Sequence, residues 1–138
     1  MKYRYLLIAI VLSSLCFSCE DLFDCIIGRS ASLPDKTFPI GEENVFYSVE
    51  LSAEIKNEPD DNNYDYFFDI YDDLPRGLDY YVDYRVLIIE GIPEETGVFE
   101  VTVHLWVDGP IFVDFNSGRA DDRLCDSGIS KTYTIIIE

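Results

Sequence analysis

Four cysteines, a single histidine and a surplus of carboxylates are the side chains in this sequence with the means to do chemistry. His104 stands alone, and one imidazole makes no usual zinc site without cysteine partners. No serine or cysteine nucleophile sits in a recognisable elbow beside it. Paired carboxylates of the kind that cleave glycosides can be drawn among the 27 acids, but a small domain leaves little room for a substrate cleft. Asp60, Asp61, Asn62, Asn63 and Asp65, then Asp69, Asp72 and Asp73, supply oxygens of the type calcium prefers. They lack the spacing of an EF-hand loop and read as solvated acidic turns. Gly-rich phosphate loops and basic aromatic patches are missing. The expectation is a non-enzymatic protein that needs no metal and no cofactor.

Binding chemistry has better candidates. Trp106 and His104 alternate with apolar neighbours and so face outward from a strand. Tyr64, Tyr66, Tyr71, Tyr80, Tyr81 and Tyr84 crowd two stretches, and such rings bury much area while keeping a polar handle. They suit a stacking surface for sugar rings or a partner protein, and equally suit ordinary strand packing. Within residues 108–130 the run Ile111, Phe112, Val113 and Phe115 is unusually apolar. It reads as an extra edge strand that pairs with a partner, or as one that folds back on the sheet. With 10 Lys+Arg against 27 Asp+Glu the net charge is −17, which sets nucleic acid and anionic membrane faces last among partners.

The elements that position these residues begin with an address. Lys2 and Arg4 precede an apolar run over residues 6–17, shorter than the ~20 residues that span a bilayer. Ser13, Ser14 and Ser18 give it a small-residue exit, so residues 1–18 read as a cleaved secretory signal. Cleavage there leaves 8 basic residues against 27 acids, a net charge of −19. If Cys19 is then the modified N-terminal residue, two thiols remain, and an exported protein can pair Cys25 with Cys125. The alternatives are two free thiols or a pairing between chains. Modification of Cys16 would put the bulky Leu15 at the cleavage position and leave an odd thiol. A Cys25–Cys125 bridge is structural in character, because these two do not form a Cys-x-x-Cys redox pair.

The stretch Leu15-Cys16-Phe17-Ser18-Cys19 resembles a bacterial lipobox, with a small residue before the cysteine that takes the acyl chains. It departs from the usual pattern in placing Cys16 where an aliphatic residue is expected. Glu20, Asp21 and Asp24 resemble the export signals of Gram-negative lipoproteins carried to the outer face of the outer membrane. The resemblance implies lipid attachment at Cys19, a tether over residues 19–32 and a domain over 33–138, surface-exposed or facing the periplasm. Several acyl chains anchor stably where one does not.

The body reads as strands. Val45, Tyr47, Val49, Leu51, Ala53 and Ile55 alternate with Phe46, Ser48, Glu50, Ser52 and Glu54, the period of a half-buried antiparallel strand. Phe99, Val101, Val103, Leu105 and Val107 alternate likewise, as do Tyr133, Ile135 and Ile137. Shorter strands are predicted over 66–71, 85–89 and 111–115, separated by Pro, Gly, Asn and Asp turns. With 14% aromatics and 48% hydrophobic residues in 138, the chain can bury one core, and short strands at this spacing predict an all-β antiparallel sandwich.

Leu74-Pro75-Arg76-Gly77-Leu78, then Ile89-Glu90-Gly91-Ile92-Pro93, then Thr96-Gly97-Val98-Phe99 and the final Thr132-Tyr133-Thr134 resemble an Ig-like domain family of bacterial surface proteins (He_PIG), related to cadherin-like modules. The likeness runs over about residues 33–138. It implies an Ig-like β-sandwich that acts by binding. The acids that cadherin-like modules use for calcium have no matching positions here, and the 108–130 insertion is longer than a usual hairpin loop. The sequence therefore predicts a lipid-anchored outer-membrane protein that mediates protein binding or assembly, with accessory glycan binding in polysaccharide uptake as the alternative.

Overall fold

A computed structural model of the chain describes residues 28–110, 112–113, 120–121 and 124–138, of which 112–113 and 120–121 are described in backbone only. The described residues are all-β apart from one 3₁₀ turn, Asp61–Asn63. The strands are β1 (Arg29–Ser32), β2 (Tyr47–Ser52), β3 (Glu54–Lys56), β4 (Asp65–Ile70), β5 (Leu78–Asp83), β6 (Val86–Gly91), β7 (Gly97–Asp108), β8 (Phe112–Val113), β9 (Ala120–Asp121), β10 (Leu124–Asp126) and β11 (Gly128–Ile137). They form three three-stranded sheets ordered β10-β1-β3, β11-β7-β4 and β2-β6-β5, with β8 and β9 as a separate pair. Every described pairing between strands is antiparallel except β1 with β10.

The period-two runs end where expected on their buried side. Tyr47, Val49, Leu51, Ala53 and Ile55 are buried, as are Val101, Val103, Leu105, Val107, Tyr133, Ile135 and Ile137. All three large sheets contribute to one core, which includes Leu87 and Ile89 of β6, Val101 and Val103 of β7 and Ala31 of β1. Ala53 marks the point where the β2–β3 chain leaves one sheet for another, and its amide donates to the Arg85 carbonyl at 2.8 Å. A small side chain suits that crossing, because it is buried at 1% exposure between the two ladders.

Several boundaries differ from the sequence reading. Val45 and Phe46 are exposed, because Asn44 adopts φ 61° and the Val45 amide donates to the Glu42 carbonyl. That turn delays the strand until Tyr47. Arg29–Ser32, placed by sequence in the tether, pairs with both β3 and β10 and buries Ala31 and Ser32. Asp108 closes β7, and residues 128–130 open β11, so the insertion between them spans 109–127 rather than 108–130. β5 has no counterpart among the predicted strands.

The Leu-Pro-x-Gly-Leu corner and the Ile-x-Gly-x-Pro turn are two halves of one clasp. Gly77 has φ +88° and Gly91 φ +148°, backbone angles that side-chain-bearing residues rarely adopt. The Ile92 amide donates to the Gly77 carbonyl at 3.1 Å, the Glu94 amide to Arg76 at 2.8 Å, and the Leu78 amide to Pro75 at 3.0 Å. Glu95 completes the clasp by accepting from the Arg76 amide at 2.9 Å, which holds its carboxyl below the usual range.

Candidate functional site

β7 is the central strand of its sheet, flanked by β4 and β11, and its alternation is strict. Val101, Val103, Leu105 and Val107 point into the core; Thr102, His104 and Trp106 point out. Register then builds the outer face rung by rung. Asp65 stands opposite Asp108, Phe67 opposite Trp106 and Asp69 opposite His104 on the β4 side. On the β11 side Gly128 is opposite Trp106, Ser130 opposite His104 and Thr132 opposite Thr102.

Three aromatic side chains stand in solvent on this face or at its margin: Trp106 at 58% exposure, Phe67 at 55% and Tyr71 at 72%. Trp106 leans over its glycine neighbour, so that a Cβ on Gly128 would lie 3.3 Å from the indole Cε3. Aromatic cover of a strand glycine is a known way of fixing register, and it leaves the far side of the indole open. His104 is held from two directions. Its Nδ1 lies 2.7 Å from the Ser130 Oγ, and the Tyr71 ring meets it edge-on with centroids 4.3 Å apart.

Beyond Ile70 the β4 ladder ends, and a side chain takes over. Asp72 accepts from the Thr102 amide at 2.7 Å, and hydrogen bonds from Thr102 hold its carboxyl below the usual range. Thr102 and Thr132 hydroxyls meet at 3.1 Å. These bonds fix Tyr71 and Asp72 against the sheet. Ser130 lies in mid-strand of a regular ladder, not on a strand-to-helix turn, so its contact with His104 orients the imidazole without the setting of a nucleophile elbow.

The tyrosines divide. Tyr64 and Tyr66 are buried, with Tyr64 donating to Glu58 and Tyr66 to the Asp61 carbonyl. Tyr84 adopts φ 54° at the β5–β6 hairpin tip, donates to the Asn62 carbonyl at 2.7 Å and packs edge-on against Tyr66. Beside it Arg85 pairs with Asp61 at 2.7 Å. The acidic stretch around Asp61 thus clamps a hairpin. Among the described residues no group of three or more His, Cys, Asp or Glu is placed to hold a metal ion.

Within the insertion, Phe112–Val113 pairs with Ala120–Asp121, while Ile111 and Phe115 lie outside the described residues. Cys125 lies on β10. Cys19 and Cys25 lie outside the described residues, and so does the signal segment. Phe67 was not singled out from sequence. Its signal is the alternation of Tyr66, Phe68 and Ile70 toward the core, which turns Phe67 outward beside Trp106. Comparison with models of known protein families gives no match, and neither does comparison with characterised proteins or with solved structures.

Proposed function

We propose that this chain is a non-catalytic binding module of a bacterial surface lipoprotein. In this reading residues 1–18 are removed, Cys19 carries the acyl anchor at the outer membrane, and Cys25 is bridged to Cys125. The body is an Ig-like β-sandwich that engages a protein partner through the outer face of the β4-β7-β11 sheet. The observation that carries the binding reading is the set of exposed rings of Trp106, Phe67 and Tyr71 on a sheet whose other face lies in the core. Large apolar side chains clustered at the surface of a rigid sheet are the kind of patch that marks an interaction site. The insertion leaves the sheet at Asp108, one rung along the outer face from Trp106.

Two further observations support the accessory parts. One core shared by three sheets suits a sandwich, and β10, which carries Cys125, lies beside β1, whose first residue Arg29 is four positions after Cys25. The test is site-specific photocrosslinking in native cells, with the reactive residue at Phe67 or, as a control on another sheet, at Tyr81, an exposed position of β5. A discrete adduct is expected from Phe67 alone. No adduct, or the same adduct from both positions, refutes the reading. Cys19→Ser is expected to abolish incorporation of a labelled fatty acid and release the protein from membranes.

A further inference from the structure

We infer that the occupant of the Trp106 face is an arginine-bearing segment of the partner, with a guanidinium seated on the indole and held by the carboxylates around it. This rests on the proposed binding role of the face and names the chemistry that it selects. Charge decides the matter. The outward positions of β4, β7 and β11 include Asp65, Asp69, Glu100 and Asp108 but no Lys or Arg. Lys131 belongs to the other side of the edge, where its amine donates to the Leu33 carbonyl and pairs with Asp35.

The acids are placed around the rings rather than scattered. Along both strands the order is carboxylate, aromatic, then a polar rung: Asp65–Asp108, Phe67–Trp106, Asp69–His104. Rungs on one face are about 7 Å apart. A guanidinium centred on Trp106 therefore has carboxylates within reach in both directions along the sheet. Asp65 and Asp108 also stand directly opposite one another across the ladder, an arrangement of like charges that disfavours the pairing. A cation placed between them removes that repulsion, so the ligand acts on a conflict already present in the free protein. Arginine fits better than lysine, because its planar head stacks on a ring while its N–H groups fork toward carboxylates.

The single tryptophan of the chain provides a direct readout. The full processed chain is titrated with a fluorescein-labelled alternating glycine–arginine heptapeptide at low salt. Peptide anisotropy and Trp106 emission are followed together, and a citrulline counterpart serves as the neutral control. Saturable binding is expected for the arginine peptide only. Asp65→Asn with Asp108→Asn is expected to weaken it about threefold to tenfold, and Trp106→Leu about twofold to fivefold by anisotropy. Asp79→Asn with Asp83→Asn removes the same charge from β5 and is expected to leave affinity unchanged. Equal weakening by the two aspartate pairs would reduce the effect to diffuse attraction by an acidic protein and overturn the inference. Absence of saturation, or saturation by a neutral oligosaccharide in place of the peptide, overturns it too. A Phe67-specific crosslink in that event leaves the protein-binding role standing without the arginine.

Discussion

Replacing Gly91 by alanine tests the clasp between the two turns most sharply, because the new atom has nowhere to go. A Cβ built there lies 2.1 Å from the Gly77 carbonyl oxygen, and at Gly77 it lies 2.0 Å from the Ile92 oxygen. Both neighbours are backbone, so relief requires the clasp to open by roughly 1 Å toward ordinary contact distance. The strained angle at φ +148° adds about 1–3 kcal/mol. Opening also disrupts the bonds from Ile92 to Gly77 and from Glu94 to Arg76, at about 1 kcal/mol each. The sum is about 3–5 kcal/mol for either glycine. That corresponds to a fall in Tm of roughly 12–20 °C at about 4 °C per kcal/mol for a domain of this size. The two changes open one and the same clasp, so the double variant should fall well short of the sum of the singles. The assay is thermal and urea unfolding of both single variants and the double variant. Simple additivity, or a loss below about 1 kcal/mol for either glycine, would falsify the account of the clasp.

Leu87→Ala empties a site at 0% exposure where the sheets meet and should cost about 2–5 kcal/mol in urea unfolding; Val82→Ala, on an exposed position of β5, should cost far less. Burial pushes the Tyr47, Tyr66 and Tyr133 hydroxyls up to about 12. The unfolded chain ionises them near 10, so their contribution is complete below pH 10 and is lost between pH 10 and 12. Tm should fall across that window, and ionisation of these three buried tyrosines at pH 10 without loss of Tm would contradict it. Reductant, or Cys125→Ser, should lower stability by about 2–4 kcal/mol, and peptide mapping without reductant should join Cys25 to Cys125.

Much of the fold was legible because a half-buried strand writes its own period. Val101, Val103, Leu105 and Val107 announce β7 with no help from the rest of the chain. β5 escaped because Tyr80, Tyr81 and Val82 run together without alternation, and it is an edge strand whose place is set by β6. β1 and β10 escaped for a related reason: Arg-Ser-Ala-Ser and Leu-Cys-Asp carry little strand preference, and each is a strand only through its neighbours. The site divides in the same way. Trp106 and His104 face outward by local alternation alone. The Phe67 partner, the Gly128 seat beneath the indole and the Asp65–Asp108 opposition all depend on register between segments about 40 or 20 residues apart, which no local pattern contains. The turn glycines were recognisable by type, but that they clasp each other follows only from the β5–β6 pairing.

The position of β1 has a mechanical consequence. Residue 28 leads directly into a strand bordered on one side by β3 and on the other by β10. A pull on the chain from that end is therefore resisted by two ladders at once, in opposite polarities, and by the buried Ala31 side chain. An edge strand under the same load can peel away bond by bond; a flanked one must slide as a unit. The described residues thus resist tension applied at residue 28, a property measurable as rupture force in single-molecule pulling from the N-terminal side.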